Sequence, residues 1–383
     1  MATRVIEGAV YLDEQSGVDA FLAEIGPATQ IAVDTEGASF HRFLDRIYLL
    51  QLSTRERSAV IDPLPTGKLD RLGTLLEDRT VEVVFHDADY DLRLLRQDYG
   101  WKVTNIFDTR IAAQLLGIKS FGLAALLQRY FDVRLDKKHQ RADWSMRPLS
   151  DDMLEYAAQD TKFLLQLRDH LHAELEEKRR LHWAKEEFAL LEKIQWEPGD
   201  DADAYQRIKG ARDLSRRELA VLRELAAWRD DAARDLDRAT FRVIGNEALL
   251  EISRVAPATM QALTQIKGTP RALMERAGHE VLAAVKRGME VPENELPKFP
   301  KSLRWNKDPD FDSRVARLKA VRDEAAERLQ LDPGVLASRE KLEAVARANP
   351  KLISDFAAIP ALRRWQVEEM GEQLIRALNN AEV

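Results

Sequence analysis

Apolar spacing alternates between strand and helix signals along the first half of the chain and is helical along the second. Gln30-Ile-Ala-Val-Asp-Thr-Glu36 reads as a strand with Ile31, Val33 and Thr35 on one face and Ala32, Asp34 and Glu36 on the other. Ile47–Leu52, Ala59–Asp62 and Val81–Phe85 read as further strands with turn residues between them. Tyr90–Gln97, Thr109–Leu116 and Ser150–His172 carry helical spacing. Early strands followed by helices predict an α/β layered domain. After about residue 195 the strand signal ends and the remainder reads as helical. Two breaks interrupt it: Pro198–Asp203, a linker pattern, and Val291–Pro300, which holds three prolines.

The helical half repeats itself. Trp228-Arg-Asp-Asp-Ala-Ala-Arg-Asp-Leu236 is similar to Val321-Arg-Asp-Glu-Ala-Ala-Glu-Arg-Leu329. At the same offset Glu247 meets Glu340, Leu249 meets Leu342, Arg254 meets Arg347, Pro257 meets Pro350 and Ile266 meets Ile359. One shared offset over that span predicts two copies of one small helical module. The expected domains are 1–197, 205–290 and 305–383.

Composition narrows the chemistry. The 383 residues include no cysteine, which excludes disulfides, thiolate zinc sites and cysteine nucleophiles and fits a reducing cytoplasm. No basic start precedes an apolar run at the N-terminus, and no stretch approaches the ~20 apolar residues of a membrane span, so no membrane partner is expected. A metal site must use carboxylates or histidines, a donor set that suits magnesium or manganese. The net charge of −7 hides a gradient. Residues 1–204 hold 26 basic and 37 acidic side chains, 205–290 hold 16 and 12, and 291–383 hold 16 of each. The acidic part fits a carboxylate site, and the modest basic excess after it fits a polyanion partner.

Three places carry candidate chemistry. Asp34 and Glu36 share a strand face, where two like charges repel unless a cation lies between them; a strand end facing water is the plainer alternative. Asp160 falls on the stripe Met153, Ala157, Asp160, Leu164, Leu167 and Leu171, the spacing of a buried helix face. A buried carboxylate needs a metal or a paired cation. Tyr156 lies one turn before it. The segment His86-Asp-Ala-Asp-Tyr-Asp-Leu92 loads a strand-to-helix junction with acid, which the helix dipole favours in any case, and His86 alone reads as structural.

Taken together, Val33-Asp34-Thr35-Glu36, Tyr90-Asp91-Leu92 and Tyr156-Ala-Ala-Gln-Asp160 resemble the three exonuclease motifs of the DEDD superfamily, and the tyrosine four before the last aspartate resembles its DEDDy subgroup. Phe121-Gly-Leu-Ala-Ala-Leu126, Asp143-Trp-Ser-Met-Arg-Pro-Leu149 and the run from Leu154 are similar to bacterial ribonuclease D. The two helical copies resemble the HRDC (helicase and RNase D C-terminal) domain. Gly37 departs from the aromatic residue usual after Asp-Thr-Glu, and Asp87 stands where the family usually has asparagine; both departures bear on substrate positioning.

The resemblance implies a ribonuclease H-like α/β domain, a mixed sheet flanked by helices, followed by two all-α HRDC bundles. It also implies metal-dependent 3′→5′ hydrolysis of RNA to nucleoside 5′-monophosphates, with Asp34, Glu36, Asp91, Tyr156 and Asp160 as catalytic residues. In the family scheme two divalent ions, Mg²⁺ or Mn²⁺, are held: Asp34 bridges both, Glu36 and Asp160 complete one site, Asp91 supports the other, and Tyr156 orients the attacking water. Phe40, His41 and Arg42 beside the first motif are expected to line the substrate's 3′ end. Arg141, Trp144 and Arg147 combine cations with an aromatic ring and are expected to contact RNA. Lys267 and Arg271 in the first copy are expected to grip its body. The expected partner is RNA, tRNA precursors and other structured small RNAs with 3′ tails, acted on by a monomer. No nucleotide cofactor is expected, because no Gly-x-x-x-x-Gly-Lys-Ser/Thr loop occurs. The rival readings are a DEDDy exonuclease acting on DNA and a catalytically silent RNA-binding adaptor.

Overall fold

The first half of the chain builds a seven-stranded sheet. Its strands are β1 (Arg4–Ile6), β2 (Ala9–Leu12), β3 (Gln30–Glu36), β4 (Leu49–Ser53), β5 (Ser58–Ile61), β6 (Glu82–Phe85) and β7 (Ile106–Asp108). They lie in the order β1-β2-β5-β4-β3-β6-β7. β3, β4 and β5 form an antiparallel meander, while β6 pairs parallel with β3 and β7 parallel with β6. The structure is a computed structural model that describes residues 4–6, 8–26, 28–136, 138–196, 203–299 and 308–379. Lys137, Pro300, most of the 198–203 linker and the outer edges of the expected domains lie outside the described residues.

The mixed sheet and its flanking helices match the expected class. β1, β2 and β7 are additional to the sequence reading. Period two divides the sheet into two cores. Ile31, Val33, Leu50, Leu52, Ile61, Val83 and Phe85 pack on one side, with α1 (Gln15–Glu24), α2 (Asp70–Leu76) and α3 (Asp89–Tyr99). Ala32, Val84 and Phe107 face the other, toward α4 (Thr109–Leu115), α5 (Leu123–Phe131), α6 (Asp151–Lys162), α7 (Leu164–Glu177) and α8 (Leu181–Leu191).

The single helix expected over Ser150–His172 is two. Phe163, at φ −109° and ψ 0°, leaves the helical region and separates α6 from α7, and its ring stacks on Phe131 at 5.8 Å. Ser150 begins α6 by accepting the Met153 N–H, and Asp151 and Asp152 sit favourably in the first turn.

The helical half forms α9 (Arg216–Asp235), α10 (Asn246–Val255) and α11 (Arg271–Glu290), then α12 (Phe311–Leu329), α13 (Arg339–Ala348) and α14 (Arg364–Asn379). An offset of 93 residues carries Asn246–Val255 onto Arg339–Ala348 and Arg271 onto Arg364. The left-handed residues that end α10 and α13, Ala256 (φ 45°) and Asn349 (φ 46°), correspond as well.

Packing divides the chain into two units: 1–36 with 47–196 and 305–383, and 37–46 with 197–304. Within the first, one apolar cluster runs from Leu167 and Trp183 to Leu329 and Leu374. Trp183 stacks on Trp365 at 4.7 Å. Glu187 accepts from Trp365 Nε1 at 3.0 Å and Arg363 Nε at 3.2 Å, and Arg180 donates to the Leu329 carbonyl at 2.6 Å. Gly117 has φ +81°, and a Cβ there would strike the Gln330 carbonyl oxygen. Within the second unit, Leu222, Trp228, Leu249 and Val281 centre the core, with Phe43 packed against it. No helix among the described residues is long and apolar enough to cross a membrane.

Candidate active site

The sheet face under α6 collects the acid. Asp34 and Glu36 leave β3 on this face, and α6 crosses above with Asp160 in its last turn. The Ser53 and Thr161 hydroxyls, 2.7 Å apart, pin α6 to β4 and so fix where Asp160 points. One ligand oxygen each from Asp34, Glu36 and Asp160 lies within 4.8 Å of the others.

Asp91 arrives from the opposite layer. It sits in the first turn of α3 and is 4 % exposed. Its Oδ1 accepts the Thr35 backbone N–H at 2.9 Å and the Thr35 hydroxyl at 2.6 Å. Thr35 points away from Asp34 along β3, so it secures Asp91 at the strand edge rather than among the three converging oxygens.

Burial and mutual repulsion raise the carboxyl groups of this cluster. Asp34 is pushed well above the carboxylate range by burial and by Asp160, with the Thr35 N–H opposing. Glu36 is raised by burial, then by Asp34, Asp160 and Asp91. Asp91 is raised by burial and Asp34 against its two Thr35 bonds. Asp160 is raised to about 7 by burial and Asp91. Burial and the neighbouring carboxylates also drive the Tyr156 phenol far above the ordinary tyrosine range. Tyr156 therefore stays protonated at neutral pH and can orient a water but does not serve as a resting base. Its ring lies 6.0 Å from those of His139 and Trp144.

Two features fit the site to a divalent cation. Its donors are all carboxylate oxygens, suited to a hard ion, and a cation relieves the repulsion that protonates them. The second is Gln51, absent from the sequence reading. It faces Asp34 directly in the β3–β4 register, is fully buried, and neither its Oε1 nor its Nε2 has a partner. Directly opposed residues in an antiparallel pair share a face, with Cβ atoms about 5 Å apart. A buried amide left open beside the carboxylates suits a water or an ion. The signal was a glutamine between leucines in the run Leu49-Leu-Gln-Leu52.

These groups open into a cleft of about 610 Å³ whose walls include Asp34, Glu36, Tyr156, Asp160, His86, Asp87, Arg110 and Gln140. His86 is structural here. Its Nδ1 meets the Thr109 hydroxyl at 2.9 Å, and that hydroxyl donates to the Phe85 carbonyl. Burial and Arg110 lower the imidazole to about 4. Asp87, in the left-handed region at φ 70°, ion-pairs Arg110, whose guanidinium lies 5.2 Å from the Phe121 ring centroid.

The expected substrate contacts divide. Trp144 is corrected: at 1 % exposure it is core and offers no face to a base. Arg147 is corrected too. Its Nε and one terminal nitrogen clamp buried Asp62 at 2.5 and 2.9 Å, and its remaining N–H groups meet the Tyr48, Trp144 and Met146 carbonyls. All five donors are used, leaving none for a phosphate. Arg141 is exposed. Phe40, His41 and Arg42 belong to the second unit: Phe40 meets Phe241 edge-on at 6.3 Å, the Ala239 N–H donates to the His41 carbonyl, and Arg42 pairs with Asp237 at 3.2 Å. Lys267 is exposed, and Arg271 pairs with Glu275 at 3.0 Å.

Comparison with known proteins matches this architecture. Residues 9–176 match the 3′-5′ exonuclease family, and residues 218–285 and 311–378 each match the HRDC domain. The chain is thus an exonuclease carrying two HRDC modules. It is 32% identical to ribonuclease D of Granulibacter bethesdensis over 92% of this chain and 88% of that one, and 30% identical to that of Pseudomonas paraeruginosa over 92% of each. The crystal structure of Escherichia coli RNase D, an exoribonuclease involved in structured RNA processing, aligns over 100% of both chains with TM-score 0.74 and 26% identity. The catalytic core of RRP6 from Trypanosoma brucei aligns over 73% of this chain and 79% of that one with TM-score 0.66 and 31% identity. The chain belongs to the ribonuclease D family and is a 3′→5′ exoribonuclease, a hydrolase whose acidic cluster suits a divalent metal.

Proposed function

We propose that the chain trims the 3′ ends of structured small RNAs, tRNA precursors among them, releasing nucleoside 5′-monophosphates in the cytoplasm with two Mg²⁺ or Mn²⁺ ions. The convergence of Asp34, Glu36 and Asp160 within 4.8 Å carries this reading. Such ions neutralise charge on the attacking, leaving and non-bridging oxygens of a phosphodiester. Asp34, Glu36 and Asp160 hold them, and Asp91 supports the cluster from the strand edge through Thr35. The Tyr156 hydroxyl, protonated at working pH, orients the attacking water. All five side chains come from one chain, which favours a monomer. We place the domains at 1–197, 205–290 and 305–383, with the first HRDC copy as the one that holds RNA; its chemistry is developed below.

The test offers the protein 3′-extended tRNA, unstructured RNA and single-stranded DNA, each with magnesium and with manganese. A ladder of 3′-shortened RNAs with nucleoside 5′-monophosphate release supports the reading. Equal or faster loss of DNA would replace it with a DNA exonuclease, and no hydrolysis of any polymer would leave an RNA-binding adaptor.

A further inference from the structure

At their 93-residue offset the two HRDC copies differ on one face. In the second copy, one face of the module is an internal seam. Leu329, Leu331 and Trp365 are buried within the first unit, with Trp365 on Trp183, and Arg363 beside it on Glu187. Glu369 on the same face pairs with Arg328 at 3.0 Å.

The corresponding positions of the first copy are Leu236, Arg238, Ala272, Pro270 and Arg276, with Arg242 where the second copy has Val335. These residues line a hollow of about 220 Å³. Ala272 stands where the second copy has Trp365, the indole stacked on Trp183. Arg238, Arg242 and Arg276 are exposed, and no carboxylate lines the hollow. Arg238 and Arg276 make no side-chain hydrogen bond or ion pair with any described residue. Arg242 donates only to the Phe40 carbonyl. Most arginines among the described residues are otherwise paired with acids or carbonyls, as Arg147 and Arg363 show. Beside Arg242, Phe241 and Phe40 are 52% and 48% exposed and meet edge to face.

We propose that this face of the first copy is an RNA-binding site: Arg238, Arg242 and Arg276 take backbone phosphates, and an unpaired base or ribose enters the hollow over Leu236, Val243 and Leu273. Exposed cations without acid partners draw a polyanion, and an apolar floor within a ring of guanidinium groups suits the flat, partly apolar faces of a nucleotide. The duplicated module has turned an internal seam outward and replaced its apolar contacts with charge. The proposal rests on the chain's being an RNA-processing enzyme.

The test uses full-length protein, EDTA to prevent hydrolysis, and a fluorescent structured RNA with a single-stranded 3′ tail. Arg238→Glu with Arg276→Glu should weaken binding at least about tenfold and flatten the plot of log affinity against log salt by about 1.4, at about 0.7 per lost contact to single-stranded phosphate. Ala272→Trp keeps every charge but sets an indole into the hollow, and should weaken binding about three- to tenfold. Both variants should hydrolyse a short unstructured oligoribonucleotide at near wild-type rate. Unchanged affinity in either variant overturns the site. If the wild-type chain binds this RNA yet hydrolyses none with metal present, the exoribonuclease reading fails while the site stands.

Discussion

Like charges gather twice in this protein, and the two gatherings are built in opposite ways. Asp34, Glu36, Asp91 and Asp160 gather under a helix and across a sheet, Asp91 buried and the other three half-buried along a cleft, and burial with mutual repulsion raises their carboxyl groups above the ordinary range. Arg238, Arg242 and Arg276 stand in solvent, where their repulsion is screened and the fold bears little strain for them. A crowded, half-buried cluster favours neutralisation, so it selects one small, hard partner at a fixed place. An exposed cluster can wait for a large, varied one. Chemistry is built the first way and recognition the second.

The largest break in that contrast comes from Asp34→Asn. If the buried acids hold the cations of hydrolysis, turnover should fall by about 10³-fold or more, the worth of several kcal/mol of transition-state stabilisation. RNA affinity in EDTA should not change, because the arginine face is untouched. Activity within tenfold of wild type would remove Asp34 from the site.

Tyr156→Phe keeps the ring against Trp144 and His139 and deletes the hydroxyl. Single-turnover rates at saturating RNA should drop about 10²-fold or more with affinity unchanged. A loss in affinity alone would make the tyrosine a substrate contact.

Gln51→Met sharpens the comparison from the side of the fold. Met replaces an unpartnered buried amide with an apolar chain of similar size, so metal-free stability should hold or rise. If the amide orients Asp34, affinity for Mn²⁺ measured by calorimetry should fall about 10-fold, within the range for outer partners of metal ligands. Equal affinity would make Gln51 a packing residue.

The smallest effect concerns pH. Asp160 keeps its proton to about pH 7 in the metal-free fold, whereas an unfolded aspartic acid releases it near about 3.9. Between these values the folded chain binds more protons than the unfolded one, so this group lowers stability as pH rises. Asp160→Asn should therefore melt in EDTA at the wild-type temperature near pH 4 and several degrees higher near pH 8. Parallel melting curves across that range would show that Asp160 is not held protonated.

The acids were legible because face, spacing and order are local properties of a chain. Asp34 and Glu36 are two apart on a strand, and Tyr156 and Asp160 are one turn apart on a helix. Arg147 misled because its partner Asp62 lies 85 residues away. A cation beside a tryptophan reads as an RNA contact until the buried acid that consumes it is known. Gln51 hid for the same reason, since its meaning comes from the strand it faces. The arginine face was written in the repeat, in Arg238 against Leu331 and Arg276 against Glu369, and needed only the second copy's seam to give those differences a direction.

The stack of Trp183 on Trp365 also sets a timetable for synthesis. The apolar cluster joining Leu167 and Trp183 to Leu374 is complete only when the last helix is available. At about 5–20 residues per second, a ribosome leaves roughly 10–40 seconds between the emergence of α8 and that of α14. For that interval the nascent exonuclease carries a bare indole and a leucine-rich flank. The first HRDC module emerges meanwhile with a core of its own, so it can close before the cluster that joins Trp183 to the last helix is complete.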